Sequence, residues 1–177
     1  MPTSVPSTVW RLEGARLPKA VESDPRAPAL HAALREHCRK LWSDGAILVP
    51  TAAWSAAVEV ALGQARRDGH LLRGLESADT ALQREARGLS MTDARSETQR
   101  GARVSRLLLV SGDGTERFYR QVEGLVCKHS PRVLPVVTAA SSGQLSALVE
   151  SPGVVRALML EHKDSVARVL FALYASP

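Results

Sequence analysis

Apolar and polar positions alternate most clearly in the last third of the chain. Three apolar runs stand out there: 104–110, 133–138 and 154–160. Each is continuously apolar, the pattern of a strand covered on both faces. Between them lie amphipathic stretches with helix-start signals. Gly112-Asp113-Gly114 predicts a turn, and Thr115 predicts the cap of a helix reaching about His129. Ser141 or Ser142 caps a short helix through Val149, and Pro152-Gly153 turns the chain into the third strand. A last helix over 164–174 points Val166, Val169, Leu170 and Leu173 inward.

Upstream the pattern is weaker. Leu30, Leu34 and Leu41 recur at helical spacing and predict a helix over 29–41, ended by Asp44-Gly45. The run 46–49 reads as a short buried strand stopped by Pro50, with Thr51 capping the next helix. That helix covers 52–67, with Trp54, Val58, Ala61, Leu62 and Ala65 on one face. Leu71-Leu72 is a minimal strand closed by Gly74, and a helix over 76–87 follows. Residues 88–101 carry few large apolar side chains and read as a loop. Residues 1–28 hold five of the ten prolines and read as an extended arm anchored by Trp10 and Leu12.

Strands alternating with helices predict an α/β fold: a three-layer α-β-α sandwich on a mostly parallel sheet. The organisation expected is a Pro-rich arm over 1–28 and a single α/β domain over 29–177.

The chain has 177 residues, enough for one sizeable core. Its apolar content of 45% rules out wholesale disorder. No apolar run approaches the length of a membrane span, and the first twenty residues lack a signal-peptide core. A cytoplasmic location is therefore expected, with Cys38 and Cys127 as free thiols. The net charge is +5, and arginine dominates the basic residues, which permits but does not demand binding to nucleic acid.

Three constellations invite chemistry. Ser111-Gly112-Asp113-Gly114-Thr115 resembles the first motif of haloacid dehalogenase-like phosphatases. Serine stands where that family has its nucleophilic aspartate, so the turn-and-cap reading is preferred. A hydrolase or transferase site built from Ser111, Asp113 and His162 is one alternative function. His37-Cys38 and Cys127-x-His129 offer nitrogen and sulfur ligands, but neighbours on a helix diverge by about 100°, so no metal site is assigned. No Gly-rich phosphate loop of either common type occurs, and no cofactor is expected.

The order of elements from residue 52 onward, with several local motifs, resembles the kink-turn RNA-binding family of ribosomal proteins. The motifs are 65–74 (ARRDGHLLRG), 104–110, Leu134-Pro135-Val136-Val137 and Gln144-Leu145-Ser146-Ala147-Leu148. The similarity spans about residues 52–174. It implies the three-layer sandwich and a structured-RNA ligand. It also implies that a Gly-x-Asn-Glu segment opening the second helix reads bases. Here Gly74 matches, Glu76 stands at the Asn position and Ser77 at the Glu position. The family's second contact, the loop before the last strand, corresponds to 150–154 and includes Gly153.

The residues alone give a parallel electrostatic argument. Arg66, Arg67, His70 and Arg73 cluster at a helix end, and Arg84, Arg87, Arg95, Arg100, Arg103 and Arg106 follow. The candidate RNA-binding residues are Arg66, Arg67, Arg73, Gly74, Glu76, Ser77 and Gly153. The leading expectation is a non-enzymatic module recognising structured RNA by backbone and shape. A protein-interaction domain that has lost RNA binding is the other alternative.

Overall fold

The computed structural model describes residues 10–93 and 103–175. Its elements are a 3-10 turn (Leu12–Gly14), α1 (Lys19–Glu22), α2 (Ala27–Glu36), β1 (Cys38–Lys40), β2 (Leu48–Ala52), α3 (Ala56–Arg67), β3 (Leu71–Arg73) and α4 (Leu75–Asp93). The second half contains β4 (Arg106–Val110), α5 (Glu116–Lys128), β5 (Val133–Thr138), α6 (Ser142–Leu148), β6 (Ala157–Leu160) and α7 (Lys163–Leu173).

The six strands form one sheet in the order β1-β2-β5-β4-β6-β3. β2, β5 and β4 are mutually parallel. β6 runs against β4, and β3 against β6, so β3 shares the direction of β4. β1 runs against β2. Helices α3, α6 and α7 cover one face, and α4 and α5 cover the other. The result is a three-layer α/β sandwich. The three apolar runs of the last third are neighbours in it, β5-β4-β6, as their pattern predicts. Every residue of β5 and β6 is buried, and in β4 only Arg106 is not. Strands this apolar need helices on both faces, and the alternating helices supply them.

Capping follows the sequence closely here. Thr115 accepts from the Phe118 N–H, and Ser141 with Gln144 forms a reciprocal capping box.

Five expectations are corrected. The helix expected over 29–41 stops at Glu36, because residues 38–40 pair with β2 as strand β1. Thr51 donates its N–H to His37 O and locks that edge in place. Pro50 does not stop the strand over 46–49, and Thr51 caps nothing; both lie inside β2, and Ser55 caps α3 instead. The Thr51 N–H faces β1, so the Pro50 ring faces β5, and that ladder begins only at Thr51. The expected loop over 88–101 is helical through Asp93, and the rest up to 102 lies outside the described residues. The third strand begins at Ala157 and not Val154, which is exposed.

The described part of the expected arm is not extended. It forms the 3-10 turn and α1, and it buries Trp10, Leu17 and Val21 in the core. The Val104 N–H donates to Arg16 O, and Arg103 donates to Leu17 O. Arg103 also pairs with Glu22.

A candidate nucleic-acid interface

β3 is an edge strand, and beside it lies a face built by four separate segments: the end of α3, the β3–α4 turn, the start of α5 and the loop after α6. Gly74 makes the turn. Its φ of +81° is a conformation that costs a side chain, and its N–H donates to Ala157 O at 2.9 Å. The Ala78 N–H returns to Gly74 O, so α4 starts immediately behind Arg73. Glu76 and Ser77 are exposed in the first turn of α4, where backbone N–H groups have no intrahelical partner.

Three grooves run along this face. One, of about 330 Å³, is lined by Arg73, Gly74, Phe118, Gln121, Ser151 and Arg156, among others. A second, of about 360 Å³, lies among Arg66, Leu71, Arg73, Val149 and Glu150. A third, of about 800 Å³, has Glu59, Gly63, Arg66, Arg67, Gln144 and Glu150 in its wall. Arg73 joins the first to the second, and Arg66 with Glu150 joins the second to the third.

Arg66 holds Glu150 through Nη2 at 2.6 Å and also donates to Leu148 O. The Arg66 hydrogen bond keeps the Glu150 carboxyl below the usual glutamate value. Arg67 donates to Gln64 Oε1 at 2.8 Å. Glu150 has φ +50° and ends α6 in a Schellman arrangement. Its own N–H donates to Ala147 O and the Ser151 N–H to Ser146 O. Glycine is usual at that position; a non-glycine residue there costs roughly 1–2 kcal/mol.

The structure thus brings Arg66, Arg67, Arg73 and Gly74 to one face with the 149–156 loop, and Glu76 and Ser77 follow directly from Gly74. Sequence reasoning missed Arg156, Gln121 and the role of Glu150. A signal for Glu150 existed: a capped helix ends at 149 with no glycine to terminate it.

No family model matches the chain, and no curated protein does either. Among solved structures, the chain is similar to a protein of unknown function from Bacillus halodurans. The identity is 17% and the TM-score 0.47, over 70% of this chain and all of the other.

Other candidate residues lie elsewhere. His70 leaves the arginine group: its Nδ1 sits 2.9 Å from Ser165 Oγ, and its ring stacks on His162 at 4.4 Å. Arg106 and Arg132 both pair with Glu85, and Arg103 pairs with Glu22, so these arginines tie elements together. Arg95 and Arg100 lie outside the described residues.

His162 does not meet Ser111 and Asp113, which stand together after β4. Ser111 follows the end of β4, whereas His162 lies beyond Leu160, which pairs with Leu107 near the start of β4. The separation is on the order of 15 Å. Ser111 is fully buried. Asp113 accepts from the Ser142 N–H and Oγ. Partial desolvation pushes its carboxyl up, but the hydrogen bonds from Ser142 and from the Ser111 side chain outweigh that and hold it below the usual value.

The zinc constellation is also dispersed. Cys38 Sγ donates to Leu34 O, and His129 Nε2 sits 2.7 Å from Asp79. Among the described residues no three His, Cys, Asp or Glu side chains are grouped to hold a metal. No helix among them is long and apolar enough to cross a membrane.

Proposed function

We propose that the chain is a module that binds structured RNA, recognising backbone and shape through the face along β3. The observation that carries this reading is the groove shared by Arg73, Gly74, Ser151 and Arg156, which joins segments far apart in sequence. Arginine forks suit phosphate oxygens, and the first turn of α4 beside them adds backbone donors of the same polarity. Gly74 has no atom within 4 Å of where a Cβ would stand, so the turn is open to a close-lying strand. Stacking on single-stranded bases has little support: Trp10, Trp42 and Trp54 all pack against the core. Resemblance to the kink-turn binders agrees with the location, since its two contact segments are the 74–77 turn and the 150–154 loop.

Filter binding to an RNA hairpin with an internal loop, at two salt concentrations, tests the reading. Arg73→Ala is expected to weaken binding and to flatten the salt slope by about 0.7–0.9, one phosphate contact. Absence of salt-dependent binding by the wild type and by its variants retires the reading.

A second reading, a protein-interaction domain without RNA binding, is favoured by one different observation. Val60 is 70% exposed on α3, beside a shallow apolar groove formed with Ala56, Ala57 and Ala172.

A further inference from the structure

We propose that Glu150 is a built-in competitor anion, whose carboxylate occupies a phosphate position on Arg66 and sets the affinity of the face for RNA. The inference rests on the RNA reading of the same face and names its regulation.

Three observations carry it. The first is conformational. Glu150 is the non-glycine residue with positive φ among those described, and it takes the position where glycine ends most helices of this type. A glutamate held in an unfavourable backbone conformation asks for a compensating role. The second is its partner. The Glu150 carboxylate is 2.6 Å from the Arg66 guanidinium, yet its side chain is 75% exposed. A pair this wet adds little to fold stability, so stability does not explain the strain. The third is position. Arg66 and Glu150 stand together in the walls of two adjoining grooves, and Arg73 shares one of them. A guanidinium fork accepts a carboxylate and a phosphate by the same two-point geometry. In the free protein Nη2 of Arg66 is therefore taken by the chain's own anion, Glu150, while Nη1 donates to Leu148 O.

An incoming RNA backbone has to displace this carboxylate. The released Glu150 then stands close to phosphates and repels them until it swings into solvent. Ligands making a single phosphate contact gain nothing from Arg66. Ligands that also engage Arg73 and Arg156 have other contacts to offset the displacement. Glu150 thereby discriminates against loose, non-specific polyanion binding.

The test compares wild type, Glu150→Gln, Glu150→Gly, Arg66→Ala and the double variant Arg66→Ala/Glu150→Gln. The probe is an RNA hairpin with an internal loop, in filter binding over a range of salt. Glu150→Gln removes the charge and keeps the backbone. Glu150→Gly removes both charge and strain, so it guards against a folding artefact. Both are expected to bind roughly threefold tighter at low salt, the effect of one charge at about 6 Å in a watery setting. Both are expected to steepen the salt slope by about 0.7–0.9 as Arg66 becomes free for a phosphate. Arg66→Ala is expected to abolish the effect, so the double variant binds like Arg66→Ala alone. Binding by the Glu150 variants where wild type shows none also supports the proposal. Wild-type binding that is equal in Glu150→Gln and Glu150→Gly overturns the role of Glu150 and leaves RNA binding standing. Tighter binding that persists in the Arg66→Ala background overturns the displacement mechanism. No binding by any of the proteins overturns both this inference and the functional reading.

Discussion

Asp79→Asn is expected to cost stability in a pH-dependent way. Asp79 on α4 accepts from His129 Nε2 at 2.7 Å, Lys128 Nζ at 2.9 Å and Gln83 Nε2 at 2.7 Å. The cluster fastens the first half of α4 to the end of α5. His129 is 7% exposed and Asp79 32%, so the histidine contact is the sheltered one. Lys128 is half exposed and adds little. A charge-assisted hydrogen bond contributes about 1.5–3 kcal/mol, and Asn keeps one acceptor, so the expected loss at neutral pH is about 1–2 kcal/mol. The hydrogen bond with His129 leads the causes that pull the Asp79 carboxyl below its ordinary value of 3.8. A depressed folded-state value means that the contribution is fully present above the unfolded value. It is lost as pH falls through the folded one. The gap between wild type and Asp79→Asn in urea unfolding should therefore be present at neutral pH. It should close progressively below about pH 4. A gap that stays constant to about pH 2, or no gap at neutral pH, refutes the assigned role of the carboxylate.

Three further outcomes are expected. Gly74→Ala should lose about 1–2 kcal/mol in chemical denaturation, purely from the +81° φ, because nothing crowds the new Cβ. Arg106→Ala should lose about 2–3 kcal/mol in the same assay and leave the salt slope of RNA binding unchanged, since Arg106 pairs with Glu85 away from the β3 face. Glu76→Asn should tighten binding to kinked RNA more than to a plain duplex of equal length in filter binding, since an amide both donates and accepts where the carboxylate only accepts.

The second half of the fold was legible because its signals are local and agree with one another. Thr115 and Ser141 cap, the strands are solidly apolar, and turns stand between them. The first half was harder because its strands depend on distant partners. Residues 38–40 read as helix until β2 is there to pair with them. Pro50 reads as a stop until the ladder shows that its missing N–H faces a gap. The candidate face was half legible. Arg66, Arg67, Arg73 and Gly74 are close in sequence and stand out by charge. Arg156 and Glu150 join them only through the turn after α6, which no periodicity announces. His70 looked like a member of the same basic group, but a strand start sends it to Ser165 and His162 instead.

The two outer strands of the sheet, β1 and β3, are each three residues long. Their exposed positions are Arg39, Lys40 and Arg73. A rim this short and this cationic offers almost no template for another chain to add as a further strand. Self-association by edge-to-edge pairing, the first step toward cross-β aggregates, is thereby disfavoured even at high concentration.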